Sequence, residues 1–216
     1  MNYRINCSVP NVDVYVDQSN PEEVVINVGV PEYTDLGSCS VGNIVRIGER
    51  NYLIVDKNDD DQFLMITTEP VTKMQFGNTR NFLESDIKSF CDTKFTEEYL
   101  KNVCSAPLLV TDLQADDGTY FQNIINEDCV NYAAVASIPS TSFYRKYRKT
   151  LSAINFQKAA TVNAVTATDV NSRSICMIDS CGILGWASYH DVLDVHCVVR
   201  AFTTTKVQII TKKNSD

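Results

Sequence analysis

Three of the eight cysteines, both histidines and the only tryptophan of the chain fall within one stretch, SICMIDSCGILGWASYHDVLDVHCVVRAF, which runs from Ser174 to Phe202. Thiolates and imidazoles are zinc ligands, and a thiolate beside an imidazole is also a catalytic nucleophile. The stretch therefore has three interpretations, namely a zinc site, a Cys/His catalytic pair, or strands of a packed sheet.

A zinc site here would follow the spacing C-x4-C-x8-H-x5-H-C. Structural zinc sites usually place paired ligands about two to four residues apart on a knuckle. Because His196 and Cys197 are adjacent in a strand-like run, their side chains point to opposite faces and cannot both reach one ion without a bulge. We therefore predict no metal ligand among the residues of this pattern: Cys176, Cys181, His190, His196 and Cys197.

Catalysis by a Cys/His pair needs a third group that orients the imidazole and a donor site for the developing oxyanion. His190 lies in the polar segment SYHDVLD, where Asp191 or Asp194 would be its partner. No glycine-rich turn stands nearby, and the G-x-S-x-G, H-E-x-x-H, Walker and Rossmann patterns are absent from the sequence. We predict no catalytic residue, no cofactor-binding residue and no cofactor, and we rank a small Cys/His enzyme last.

Composition limits the partners of the chain. Of its 216 residues, 44% are hydrophobic and 21% charged, as in a globular protein, and its net charge of −8 argues against a nucleic-acid partner. No apolar run approaches the roughly 20 residues of a membrane span. The N-terminal residues have no signal-peptide pattern, so we expect synthesis in the cytoplasm. That compartment favours buried, free thiols over a disulfide framework.

The elements that position these residues are mainly short strands. Two strand-like runs, 11–17 and 22–33, precede a turn-rich boundary, GSCSVGN, and lack a tight hairpin turn between them. We expect them to pair across subunits or with a shell protein. Runs Tyr52–Val55 and Phe63–Thr67 flank an acidic turn and predict a β-hairpin with Asn58–Asp61 at its tip. We interpret that tip as a solvated turn and not as a cation site, because calcium ligands are spaced.

Helical spacing is limited to three segments. Ile87, Phe90, Cys91 and Phe95 predict a helix with Ser85 as its N-cap, and Thr96 is a candidate cap for a second helix. The third segment, STSFYRKYRKTL, has Phe143 and Tyr147 on one face and four basic residues that we interpret as an exposed face. The last third returns to strands, with a hairpin turn at Gly182.

The order of these signals resembles a bacterial and phage domain family related to the C-type-lectin fold. Members of that family have a W-x-x-S-x-I-R-x-x-L-N-x-x-F helix, a Y-R-x-Y stretch, a V-x-x-x-G hairpin and a G-V-R-P closing strand. The resemblance covers about residues 41–205. The matching residues are Ser85, Ile87, Lys88 and Phe95 in the helix, Tyr144, Arg145 and Tyr147 in the middle motif, Gly182 in the turn, and Val199, Arg200 and Ala201 at the end.

Several positions depart from the family pattern. The chain has Phe82 for Trp, Lys88 for Arg, Cys91 and Asp92 for Leu and Asn, and Ala201 for Pro. The tryptophan-rich central segment of the family and the calcium motifs of sugar-binding C-type lectins are also missing. The family's ligand surface is therefore not carried over to this chain.

The resemblance implies an α+β, C-type-lectin-like domain of mainly short antiparallel strands with two or three short helices. We expect this domain at residues 41–216, after a β-rich arm at 1–40 that serves anchoring or oligomerisation. Ser85, Ile87, Phe95, Gly182 and Arg200 would be structural residues, with Arg200 bonded to backbone carbonyls or to an acid.

Family members of this kind resemble phage virion proteins. We expect a non-enzymatic virion surface protein, either a head decoration or fibre protein or a receptor-binding tail component, assembled in the host cytoplasm. Its partners would be other capsid or tail proteins, a host-surface glycan or protein, and further copies of itself in a cyclic oligomer. The alternative is a host-encoded carbohydrate- or protein-binding module.

Overall fold

The computed structural model describes residues 13–20, 23–29, 33–58, 61–101, 105–106, 108–109, 124–125, 133–165 and 174–211. The strands of this part of the chain are β1 (Asp13–Asn20), β2 (Glu23–Gly29), β3 (Tyr33–Asp35), β4 (Ile44–Ile47), β5 (Arg50–Lys57), β6 (Gln62–Thr67), β7 (Thr72–Gln75), β8 (Ser105–Ala106), β9 (Leu108–Leu109), β10 (Ile124–Ile125), β11 (Ala133–Ala134), β12 (Ala136–Ser137), β13 (Lys158–Val165), β14 (Ser174–Asp179), β15 (Leu184–Ser188), β16 (Val192–Val195), β17 (Val198–Phe202) and β18 (Lys206–Thr211). The helices are α1 (Asp86–Phe90), α2 (Thr96–Tyr99) and α3 (Thr141–Leu151), with short 3-10 turns at Leu36–Ser38 and Phe82–Glu84 and a π-helical turn at Cys91–Phe95.

Two large sheets contain most of these strands. The first runs β12-β17-β6-β5-β4-β18-β3, with β8 also beside β17, and the second runs β15-β14-β13-β16-β7, with β10 also beside β13. Within the described part, every pairing is antiparallel except that of β13 with β16. The predicted α+β class, with mainly short antiparallel strands and few short helices, is confirmed.

The central strands of the first sheet are buried on both faces. In β5, Tyr52 and Ile54 belong to one apolar cluster, whereas Leu53 and Val55 belong to a second cluster on the other face. This split follows from the period of two in a strand. The predicted hairpin is confirmed, since β5 and β6 pair antiparallel on either side of the tip. At that tip, Asp59 and Asp60 lie outside the described residues.

The predicted cap of the first helix is confirmed. The Ser85 hydroxyl accepts a bond from the Lys88 amide at 3.0 Å and donates one to the Phe82 carbonyl at 2.7 Å. Such a cap stabilises a helix by about 1 kcal/mol. Ile87 and Phe95 are fully buried in the first apolar cluster, so this segment fixes α1 against the sheet.

Thr96 does not cap the second helix, and that prediction is wrong. A π-helical turn at Cys91–Phe95 joins α1 to α2, so the chain stays helical through Thr96. The Thr96 hydroxyl therefore donates to the Cys91 carbonyl at 2.8 Å instead of accepting an amide at a helix start.

Helix α3 covers the opposite face of the first sheet. Ser140 caps it by accepting from the Phe143 amide at 2.8 Å. Phe143 and Tyr147 share a face as predicted, with ring centroids 5.0 Å apart, and both belong to the second apolar cluster. Three of the four basic side chains are exposed, in agreement with the predicted solvent face: Lys146, Arg148 and Lys149.

The N-terminal region differs from its prediction in two respects. Strand β1 pairs antiparallel with β2 in the same chain, so the prediction that these runs remain without a partner in the chain is wrong. Part of the predicted arm, 1–40, also packs with the main sheet, because β3 pairs with β18 and Leu36 is fully buried in the first cluster. Strand β3 is therefore part of the main sheet.

The last third of the chain forms the predicted hairpin and three further strands. β14 and β15 pair antiparallel on either side of a turn at Gly182, which has a φ of 67°. The run that follows the hairpin contains β16, β17 and β18. No helix in the described part is both long and apolar enough to cross a membrane.

Candidate binding groove

The Cys/His stretch separates its ligand-type side chains. His196 and Cys197 form the connection between β16 and β17 and face opposite sides, as their adjacency predicts. Cys197 belongs to the first apolar cluster, with its sulfur 3.9 Å from that of Cys91. The His196 ring instead packs edge-on against Phe156 of the second cluster, with centroids 4.9 Å apart.

Thr67 holds this connection in place. Its carbonyl accepts a bond from His196 Nδ1 at 3.0 Å, and its hydroxyl accepts one from the Cys197 amide at 3.0 Å. The Thr67 amide in turn donates to the Cys197 carbonyl at 3.0 Å. His196 therefore carries its proton on Nδ1, as a structural histidine.

The other ligand-type side chains of the stretch are also dispersed. Cys176 is buried, and burial raises the pKa of its thiol to about 12. Cys181 and His190 are exposed. The described residues contain no group of three or more His, Cys, Asp or Glu side chains placed to hold a metal ion.

The carboxylates considered as partners of His190 are engaged elsewhere. Asp191 pairs with Lys158 and Asp194 with Lys73, both at 3.1 Å. The His190 ring instead lies against Tyr189, with centroids 4.4 Å apart. Both acids thus have a lysine partner, and the described residues show neither of them bonded to His190, as a Cys/His enzyme would require.

His196 should make the fold sensitive to acid. Burial lowers its pKa from the usual value of 6.5, against the opposing effect of the bond to Thr67. The unfolded chain takes up a proton below about pH 6.5, whereas the folded chain resists it, so stability is lost as the pH falls from there toward the lowered pKa. The loss is at most about 1.4 kcal/mol per pH unit.

Urea unfolding at pH 7.5 and pH 5.5 measures this loss. We expect a smaller difference between the two free energies in His196→Asn than in the wild type. His190→Asn is the matched control, because His190 is exposed, and it should keep the wild-type difference. An unchanged pH dependence in His196→Asn would contradict a titrating role for His196.

A groove lies where the end of α3 meets the β14–β15 turn. Its volume is about 460 Å³, and its lining consists of Tyr144, Arg148, residues 151–156 and residues 180–182. The buried members form an apolar floor: Tyr144, Leu151, Ile154 and Phe156. The Tyr144 and Phe156 rings meet edge to face there, with centroids 5.8 Å apart.

The turn that closes one side of the groove is organised by Asp179. One oxygen of its carboxylate accepts bonds from the amides of Cys181 and Ile183, each at 2.8 Å. The Gly182 amide donates to the Asp179 carbonyl at 3.0 Å, and the Tyr144 hydroxyl donates to the Gly182 carbonyl at 2.7 Å. The turn is thus fixed both within itself and to α3.

The rim of the groove is polar and exposed. It carries the guanidinium of Arg148, the amide of Asn155, the hydroxyls of Ser152 and Ser180, and the thiol of Cys181. Burial raises the pKa of Tyr144, and the nearby Arg148 opposes that shift, so Tyr144 stays a neutral hydroxyl. The volume lies within the range of about 300–1,000 Å³ that small-ligand sites occupy.

Sequence reasoning found only part of this groove. It placed Gly182 in the turn, as observed, and Tyr144 in the middle motif, but it did not bring the two residues together. Asn155 and Ser180 carry no local signal, because they line the groove only where the end of α3 meets the β14–β15 turn. The Asp-x-x-Gly spacing of Asp179 and Gly182 is a turn signal that was available in the sequence.

The predicted structural residues occupy two separate regions. Ser85, Ile87 and Phe95 lie on the face of the first sheet away from the groove. Arg200 is in β17, only 7% exposed, and alternation along that strand places it on the face covered by α3.

The chain matches no protein-family model, and comparison with curated proteins and with solved structures finds no relative.

Proposed function

We propose that this protein is a non-enzymatic surface component of a bacteriophage virion, built on a C-type-lectin-like domain. The observation that carries the proposal is the bond from the Tyr144 hydroxyl to the Gly182 carbonyl, residues 38 positions apart in the chain. Tyr144 belongs to the Y-R-x-Y match and Gly182 to the hairpin match. Two segments of the family resemblance therefore meet at one contact.

The other two matching segments also meet in the fold. Ile87 and Phe95 of the helix segment belong to the same buried cluster as Val199 of the closing strand. Cys91, at a helix position where the family has Leu, lies 3.9 Å from Cys197, which precedes that strand. Residues that pack in one core belong to the same domain. This packing therefore supports a single domain with the element order of the family.

The groove supports a receptor-binding role within this proposal. Its aromatic floor offers an apolar surface, and its rim offers both donors and acceptors of hydrogen bonds. Such a surface suits a host-surface glycan or a short protein segment. The domain would thus present a ligand site on the particle, while the N-terminal region attaches the domain to a capsid or tail protein.

Loss of Arg148 should weaken binding to host cells. Arginine is frequently among the residues that dominate a binding interface, and truncation at such a position costs about 2 kcal/mol or more. We expect Arg148→Ala to reduce the binding of labelled protein to host cells at least about tenfold. Lys149→Ala is the control, because Lys149 is an exposed basic residue of the same helix that does not line the groove. Equal binding by both variants would exclude this groove as the receptor site.

Removal of the N-terminal region should separate attachment from folding. Deleting residues 1–30 removes the β1–β2 pair and leaves β3 and Leu36 in the main sheet. We expect a soluble, cooperatively unfolding domain that no longer enters the particle. Deleting residues 1–36 should also lower the melting temperature, because it removes β3 and the buried Leu36 side chain. Calorimetry measures folding, and co-sedimentation with purified particles measures attachment. Full occupancy of particles by the 1–30 deletion would place attachment in the domain itself.

The groove also favours a second candidate, a host-encoded carbohydrate- or protein-binding module, because a ligand site requires no particle. The two candidates differ in location. A host module would remain with the cells and bind its ligand without the N-terminal region, whereas a virion protein needs that region to enter the particle.

A further inference from the structure

Strand β15 is an edge of the second sheet. Among the described residues it pairs with β14 alone, in a register that sets Ser174 opposite Ser188 and Ile178 opposite Leu184. The Asp179 amide donates to the Ile183 carbonyl at 3.0 Å, which makes those two residues a hydrogen-bonded pair. Because such pairs alternate along an antiparallel ladder, the backbone groups of Leu184, Trp186 and Ser188 point away from β14. Those of Ser188 bond to Asp191, whose carboxylate accepts from the Ser188 amide at 3.3 Å and whose amide donates to the Ser188 carbonyl at 2.9 Å.

Among the described residues, this edge lacks the protection found at two other edges of the sheets. On the opposite edge, β7 carries Lys73, which forms an ion pair with Asp194 at 3.1 Å. Strand β3 is three residues long, and its Asp35 pairs with Lys206 at 2.7 Å. Short strands and charged side chains keep edges from pairing with other chains. By contrast, residues 180–190 contain no Asp, Glu, Lys or Arg, although 21% of the chain is charged.

The same edge exposes large apolar side chains. Trp186 is 66% exposed and Ile183, the residue before the strand, is 57% exposed. Trp186 lies opposite Cys176 in the register, so its ring lies on the face of the sheet that carries α3. Exposed aromatic residues beside unpaired backbone groups mark a surface that another chain covers.

We infer that β15 pairs antiparallel with β15 of a second copy of this chain, so that the second sheet continues through a twofold axis. The net charge of −8 repels a second copy over most of the surface, whereas residues 180–190 contribute no Asp, Glu, Lys or Arg to that repulsion. Trp186 is the middle residue of the strand, so an axis there pairs it with Trp186 of the second copy. Leu184 then lies opposite Ser188 of that copy, and the backbone groups of the two Trp186 residues bond to each other across the axis.

This register places the two tryptophan rings side by side on one face. Directly opposite residues in an antiparallel pair have Cβ atoms about 4.5–5.5 Å apart, which is contact distance for aromatic rings. The interface is isologous, so one substitution changes it twice. A charged residue at position 186 would place two like charges across the axis.

Light scattering coupled to size-exclusion chromatography tests the inference on the full chain, with reductant present to exclude a disulfide through the exposed Cys181. We expect the wild type to have twice the mass of one chain and Trp186→Lys to have the mass of one chain. Val192→Lys is the matched control, because Val192 is 56% exposed but lies on the interior strand β16, and it should keep the double mass.

Fluorescence of the wild type gives a second measurement that needs no variant. Trp186 is the only tryptophan, so selective excitation reports this edge alone. We expect its emission to shift to longer wavelength on dilution, as the ring becomes exposed. A single-chain mass for the wild type at its highest soluble concentration would overturn the inference. So would an emission maximum that does not change with dilution, or a double mass that Trp186→Lys retains.

Discussion

Replacing Arg200 by alanine is expected to lower the free energy of unfolding by about 3–5 kcal/mol, the cost of breaking a buried ion pair or its equivalent. Arg200 is 7% exposed, and its strand β17 lies between β6 and the short strands β8 and β12. Its neighbours in the strand, Val199 and Ala201, are fully buried. Without the guanidinium, the buried polar groups that bond to it would lose their hydrogen-bonding partner.

Urea denaturation measures this loss, and the sheet itself offers a control. Arg46 is an exposed arginine of β4, in the same sheet, and Arg46→Ala should change the free energy of unfolding by less than about 0.5 kcal/mol. Arg200→Lys keeps the charge but not the planar array of donors, so we expect an intermediate loss. A loss below about 0.5 kcal/mol in Arg200→Ala would show that the arginine does not stabilise the closing strand.

Gly182→Ala is expected to cost about 2–3 kcal/mol. A residue with a side chain loses about 1–2 kcal/mol in the left-handed conformation that Gly182 adopts. A Cβ at this position would also lie 2.8 Å from the Tyr144 hydroxyl oxygen, which must then move. The bond from Tyr144 to the Gly182 carbonyl, worth about 1 kcal/mol, is lost with that movement.

Two further variants separate these causes. Gly185→Ala is the matched control on β15, because its Cβ would meet the Met177 side chain at an ordinary 3.6 Å, and it should cost under about 1 kcal/mol. In a double-mutant cycle, Tyr144→Phe removes the hydroxyl that clashes, so the double variant should lose less than the sum of the single losses. Strict additivity would show that the Tyr144–Gly182 contact does not couple α3 to the turn.

The parts of the fold that follow from local chemistry were predictable from the sequence. The β5–β6 hairpin follows from two β-rich runs around a polar turn, and the caps at Ser85 and Ser140 follow from hydroxyl residues that precede apolar periodicity. The turn at Gly182 follows from the need for a positive φ. The separation of His196 from Cys197 follows from the period of a strand.

The parts that depend on long-range packing were not predictable. The π-helical turn at Cys91–Phe95 has the same apolar spacing as an α-helix, so the sequence does not distinguish them. The contact of Cys91 with Cys197 joins residues 106 positions apart. The placement of β3 in the main sheet depends on β18, near the other end of the chain. The groove likewise exists only where α3 packs on the β14–β15 turn.

A protein inventory of purified particles tests the central proposal most directly. Virions from cells that express the gene would be purified by density gradient and analysed by quantitative mass spectrometry, with an abundant host protein as the measure of contamination. A virion surface protein should be present in a fixed ratio to the major capsid protein through repeated purification. If the amount of the chain instead decreases together with that of the host protein at each purification step, the chain is not part of the virion, and the proposed function is wrong.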